Sequence, residues 1–208
     1  MHEDRRYVMD SETIWHHIDT ERSWLADLLE SLPQAAWQHD SMCAGWTVRD
    51  VGAHLAFSHA RLRDVAWPAV RSGFRYNAMI RSAAVRSPLT HEQIVATLRG
   101  FIGSRRRAPF VSELEPLLDI LVHSQDICVP LGIEHPMPID AAAAAADRVL
   151  SLRGPVRLWN RPRGVRLVAT DIDWAYGDGP EKRAPIQSHL LTITGRKSAP
   201  SAANPASQ

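Results

Sequence analysis

The sequence predicts a mainly α protein, a helical bundle followed by a small α+β C-terminal extension. Three observations carry that prediction. Before Gly154, apolar residues recur at helical spacing in stretches closed by prolines, glycines or capping residues. After Gly154 the period changes, and Arg163 to Thr170 alternates like a strand among Gly-rich turns. The length of 208 residues, with 45 % hydrophobic and 23 % charged side chains, suits one ordinary domain with a small appendage. The expected divisions are a bundle over 10–153, the extension over 154–196 and a disordered tail over 197–208.

Taken in order, the first helix covers Ile14 to Leu32, with Trp24, Leu25, Leu28, Leu29 and Leu32 at helical spacing and Pro33 as the stop. Gln34 to Trp46 reads as a connection pinned by Trp37, Cys43 and Trp46. The second helix opens on Thr47-Val48-Arg49-Asp50, a capping box with Asp in place of the longer Glu. Val51, Leu55, Ser58 and Leu62 form its face, and it runs to about Val65 or Trp67, before Pro68. Ala69 to Ser87 is Arg-rich and mildly helical. Thr90 with Gln93 caps a third helix bearing Ile94, Val95, Leu98 and Phe101. Arg105 to Arg107 sit in a basic loop, read as solvated. The fourth helix starts near Pro116 and is apolar around most of its circumference, closing at Pro130 and Gly132. Asp140 is the expected N-cap of an Ala-rich helix, Ala141 to Leu152. Ile186 to Thr194 fits either a helix or a strand.

The formal net charge is +1, from 24 basic and 23 acidic side chains, which makes no electrostatic case for nucleic acid or an anionic membrane. Cys43 and Cys128 have no CxxC spacing and cannot form a disulfide framework, so a cytoplasmic location is expected. The first ten residues are polar, unlike a signal peptide, and no apolar run is long enough to span a membrane. The apolar surplus of the fourth helix allows a homodimer.

One constellation carries chemistry. Asp119 and His123 are four residues apart on the fourth helix, so both project from one face, a spacing that lets two side chains grip one ion. With Asp126 they form a polar stripe on an otherwise apolar cylinder, and a solvent-facing side would read the same way. His54 lies on the second helix between Val51 and Leu55, as either a core histidine or a ligand. Two imidazoles and a carboxylate make a normal catalytic zinc set with one position left open. Nickel, iron and manganese accept the same donors. His16, His17, His39, His59, His91, His135 and His189 are read as non-ligands, those in loops and at element ends as exposed. Cys43 is read as a structural residue.

Cys43-Ala44-Gly45-Trp46-Thr47-Val48-Arg49-Asp50-Val51-Gly52-Ala53-His54-Leu55 resembles the signature of the mycothiol-dependent maleylpyruvate isomerase family, within the DinB/YfiT-like superfamily of metal-binding four-helix bundles. Leu121 to Ile127 followed by Pro130-Leu131-Gly132 is a second signature. Ala169-Thr170-Asp171 to Trp174, Gly177 to Pro180 and Thr194-Gly195-Arg196 are a third. The resemblance implies a four-helix bundle holding a divalent metal, zinc first, on His54, Asp119 and His123. Those isomerases carry Glu where Asp119 stands, and the shorter Asp still reaches if its helix sits closer. The resemblance also implies mycothiol as thiol cosubstrate, held as thiolate by the metal and adding to a small electrophilic or unsaturated acid, in an isomerase or S-transferase reaction. It further implies an arginine from the C-terminal part for the acidic substrate. Arg153, Arg157, Arg161, Arg163 and Arg166 are candidates, and a solvated basic edge is the other reading of the run. A non-catalytic metal-binding stress or regulatory module on the same bundle is the alternative function.

Overall fold

The computed structural model describes residues 7–57, 84–107, 111–152 and 162–196. The expectations for the second helix beyond Phe57, for the Arg-rich stretch up to residue 83, for His59, for Arg153, Arg157 and Arg161, and for the tail lie outside the described residues.

The described residues form seven helices and a three-stranded sheet, the mainly α fold with a small α+β extension that the sequence predicts. Helix α1 spans Ser11–Ser31, and Asp10 caps it by accepting from the Thr13 N–H at 3.0 Å. A short helix α2, Gln34–Trp37, sits inside the expected connection, because Pro33 restarts the chain and Trp37 is drawn into the core. Helix α3 covers Val48–Phe57 and α4 covers His91–Gly100, the latter with the full Thr90/Gln93 capping box. Helix α5 is Leu114–Cys128, with Pro116 in its first turn. Helix α6, Ile139–Ser151, starts one residue before Asp140, which instead accepts from the Ala141 N–H and faces His17. Strands β1 (Arg166–Ala169), β2 (Ala175–Tyr176) and β3 (Glu181–Ala184) follow, then α7, Ile186–Ile193, which settles the ambiguous segment as helix. Among the described residues no helix is long and apolar enough to cross a membrane.

Helices α1 and α3 each pack against both α4 and α5, closing a four-helix bundle. Gly52 lets α3 come close, since a Cβ there would meet Ile94 Cγ2 at 3.3 Å. On the far side of α5 lies α6, which in turn packs on α7, and α7 covers β1. In the sheet, β1 is central, antiparallel to β2 and parallel to β3.

Helix α5 is therefore a shared wall. Ile120 and Ile127 join a core with Leu25, Leu29, Val51 and Ile94. Leu117, Leu121 and Val122 join another with Ile18, the α6 alanines, Ile186 and Leu190. Its apolar surplus is consumed within the chain. Ala141 to Ala146 are all buried, so α6 has no exposed face in that stretch. Small side chains permit this, since they let neighbouring helices approach from both sides at the near end of the usual interaxial range. What remains of α5, the stripe of Asp119, His123 and Asp126, faces α3 and the loop before it.

Candidate metal centre

Two local devices set up the side of the site made by α3 and the loop before it. The capping box expected at Thr47 is present in reciprocal form. The Thr47 N–H donates to Asp50 Oδ2 at 3.0 Å, and the Asp50 N–H donates to Thr47 Oγ1 at 3.3 Å. It starts α3 so that His54 lies two turns in. The loop carrying Cys43 and Trp46 is fastened to α5 by the Met42 N–H, which donates to the Asp126 carbonyl at 3.0 Å. That carbonyl is free because its helical partner would be the N–H of residue 130, which is proline.

A third device sits at the end of α7. The Arg196 N–H donates to the Leu191 carbonyl at 2.8 Å and the Gly195 N–H to the Thr192 carbonyl at 3.0 Å, with Gly195 at φ 82°. This is a Schellman cap, which reverses the chain at a residue able to adopt the left-handed conformation without penalty. It delivers the Arg196 side chain to α5.

The structure brings His54, Asp119 and His123 together. His54 Nε2 lies 3.5 Å and His123 Nε2 3.4 Å from the same atom, Asp119 Oδ1. The three donor atoms all fall within 4.8 Å of one another. The two N···O separations exceed a good N–H···O hydrogen bond. They match the edge of a tetrahedron of ligands around an ion with bonds of about 2.0–2.1 Å, which is about 3.4 Å. The imidazoles stand edge to face with centroids 4.9 Å apart, and Trp46 walls them at 5.4 Å from His54 and 6.4 Å from His123.

The other edge of the His123 ring is anchored. Nδ1 lies 2.8 Å from Asp126 Oδ2, and Asp126 is fully buried. Arg196 closes on that carboxylate side-on, Nε to Oδ1 at 3.0 Å and Nη2 to Oδ2 at 2.6 Å, and the Cys43 thiol donates to Oδ2 at 3.0 Å. Burial works against the Asp126 charge, but hydrogen bonds from His123 and Arg196 outweigh it and hold the carboxyl well below the usual range. An ionised carboxylate only accepts, so Nδ1 carries a hydrogen and Nε2 is the nitrogen turned toward His54 and Asp119. A carboxylate behind a ligating histidine is the usual support for a metal site. Burial likewise raises the Asp119 pKa, yet the charge of His54 and the long polar contacts with His123 and His54 bring it far down. Burial lowers the His123 pKa, and its bonds to Asp119 and Asp126 push it well up. With Asp126 paired to Arg196, Asp119 is the carboxylate left facing both imidazoles. The donor set, its spacing and the anchored Nδ1 edge fit a divalent ion, whose binding would displace any proton from Nε2.

Asp126, Arg196 and Trp46 join the site although the sequence reading assigned them no role. Asp126 was legible only as part of the polar stripe, and Arg196 only as the end of the Thr194-Gly195-Arg196 signature. Of the arginines considered from sequence, Arg163 is exposed and Arg166 lies on β1 facing Glu181, so neither is at this centre. Cys43 touches Asp126 and, at 3.8 Å, His123 Nδ1, on the edge of the ring away from the Nε2 cluster. His189 is buried and bonded to the Val168 carbonyl, and His135 stacks on Trp24 at 3.3 Å while meeting Glu21 at 2.8 Å. The expectation of exposure for these two is corrected, since each is held by a partner from a distant segment.

Fold and site together define a helical-bundle protein with a two-histidine, one-carboxylate centre. Two solved structures share the fold at a TM-score of 0.60. They are crystal structures of the mycothiol-dependent maleylpyruvate isomerase, 15 % identical, and of a histidine-to-alanine mutant of it, 14 % identical, each match covering 91 % of this chain and 90 % of that one. No curated protein matches the chain. Residues 18–116 match the family model for the mycothiol maleylpyruvate isomerase N-terminal domain. The matched stretch includes His54 and ends short of Asp119.

Proposed function

We propose that this chain is a metal-dependent enzyme that uses mycothiol, acting on a small electrophilic or unsaturated acid as an isomerase or S-transferase. The observation that carries the reading is the convergence of His54 Nε2 and His123 Nε2 on Asp119 Oδ1 at ion-ligand rather than hydrogen-bond spacing. His54, Asp119 and His123 would hold a divalent ion, zinc first, and leave one coordination position open. When bound, such an ion supplies the Lewis acidity that keeps a low-molecular-weight thiol in its thiolate form at neutral pH. The residues of the chain do the rest. His54 and His123 would each offer Nε2 to the ion, Asp119 would contribute the charge, and Trp46 shields one side from water. The family model that residues 18–116 match supports the choice of mycothiol. The partners are then two small molecules, the thiol and the acid, in the cytoplasm.

The test is elemental analysis of wild type, His54→Ala and His123→Ala, followed by calorimetric titration of the metal-loaded wild type with mycothiol. One equivalent of metal in wild type and little in either variant, with saturable thiol binding abolished by a chelator, is the expected result. Equal metal content in all three proteins would sink the metal reading. Metal without thiol affinity would turn the assignment to a non-catalytic metal-binding module.

A further inference from the structure

The structure assigns to Arg196 a positioning role at the metal centre: through Asp126 it sets the orientation and donor strength of His123. The inference rests on the proposed metal reading and goes beyond it, because it makes the C-terminal segment a working part of a centre whose three ligands all come from the bundle.

Arg196 comes from beyond α7, 70 residues after Asp126 in sequence, and is aimed by the Schellman cap at Gly195. Each of its three nitrogens is engaged by the protein. Nε and Nη2 grip both oxygens of Asp126, and Nη1 donates to the Thr194 carbonyl at 2.9 Å. Nη2 also lies 3.7 Å from Cys43 Sγ. A side-on pair of this kind fixes the plane of the carboxylate, which a point charge on a lysine does not do. With its plane fixed, Asp126 Oδ2 is held on the His123 Nδ1–H at 2.8 Å, and Nε2 is aimed at the position shared with His54 and Asp119. Without Arg196, Asp126 would be a buried carboxylate free to rotate, and the imidazole would lose its fixed direction. An arginine kept for an acidic substrate would present free N–H groups to the cavity and would leave metal affinity alone.

The experiment compares wild type, Arg196→Ala and Arg196→Lys as full-length chains. Zinc affinity is measured by competition with a chromophoric chelator. Ligand geometry is read from the visible bands of the cobalt-substituted proteins. Arg196→Ala is expected to bind zinc roughly 10- to 100-fold more weakly, the usual effect of removing an outer partner of a metal ligand. Its cobalt bands should shift, and guanidinium chloride well below denaturing concentration should restore affinity while sodium chloride does not. Arg196→Lys should be intermediate. If Arg196→Ala does not fold, folded Arg196→Lys decides: weaker binding with shifted bands supports the role, and wild-type affinity and bands overturn it. Unchanged affinity and bands in a folded Arg196→Ala also overturn it while leaving the metal reading standing. A wild type that takes up neither zinc nor cobalt overturns the metal reading and this role with it.

Discussion

The two edges of the His123 ring are built on different principles. On the Nδ1 edge, Asp126, Arg196 and Cys43 lie 2.6 to 3.0 Å from their partners, and the buried carboxylate has its acceptor sites filled by protein donors. On the Nε2 edge, three ligand-type atoms face one another at 3.4 and 3.5 Å, too far to satisfy each other well. One edge is complete within the chain. On the other, the chain's own groups leave one another incompletely satisfied. A group of acidic and imidazole side chains is thus best judged by whether its members have already satisfied one another.

The largest effect expected from breaking the comparison is on the complete edge. Asp126→Asn keeps the shape but removes the charge that Arg196 answers, leaving a buried guanidinium without a counter-ion. Such a change typically costs about 3–5 kcal/mol, and urea unfolding of the metal-free protein should show a loss of that order. Asp119→Asn, made on the open edge, should cost the metal-free protein under about 1 kcal/mol, since no well-formed bond is lost. Equal losses for the two variants would mean that the two edges are not different in kind.

Next in size is metal affinity. Asp119→Ala removes the only charged donor of the open edge and should weaken zinc binding by about 100-fold or more, read by chelator competition. Asp119→Glu introduces the longer carboxylate that the sequence resemblance implies at this position, but adds a methylene to a spacing already suited to Asp. A loss of about tenfold or less is expected. Tighter binding by Asp119→Glu would show that the present spacing is not the working one.

Much of this was legible in the sequence, and the exceptions have physical reasons. The helices of the bundle follow from local signals: Pro33, the Thr47 and Thr90 caps and Pro116 act within a few residues of themselves. The spacing of Asp119 and His123 is also local. His54 needed the family motif, because nothing in a single helix says which other helix it will face. Asp126 and Arg196 could not be paired from sequence at all. Their contact depends on α7 packing over α6 and on the direction in which Gly195 turns the chain. The short α2 was missed because a four-residue helix leaves almost no periodicity to read.

A smaller effect comes from Gly195. A Cβ there would meet no atom within 4 Å, so Gly195→Ala is penalised only by the left-handed backbone conformation at φ 82°. The cost should be about 1 kcal/mol by urea unfolding. Zinc affinity should stay within about twofold, because alanine can hold the cap at that cost. A tenfold drop in affinity would mean that the cap opens and takes Arg196 with it.

The smallest expected effect tests where the ion sits. Cys43, His123 and Asp126 also form a group with ligand atoms close enough for a metal, so the complete edge is a rival location. The geometry argues against it. Arg196 already occupies the cationic position beside Asp126, and the thiol donates to that carboxylate. Cys128 does not confuse the measurement, since burial, aided by the charge of Glu21, pushes its thiol up to about 12 and the side chain is fully covered. Native protein at pH 8 should therefore show one thiol, Cys43, reactive toward an aromatic disulfide reagent, and two after unfolding. The sign is that of a raised acid: the neutral Cys128 thiol supports the fold fully below pH about 9, and that support is lost as pH rises toward about 12. If zinc binds the Nε2 edge, the native Cys43 rate should change by less than about twofold when zinc is added. Protection beyond about tenfold would mark the sulfur as a ligand, because a metal-held thiolate is withdrawn from exchange. It would also move the ion to the edge of the imidazole that is now closed by Arg196.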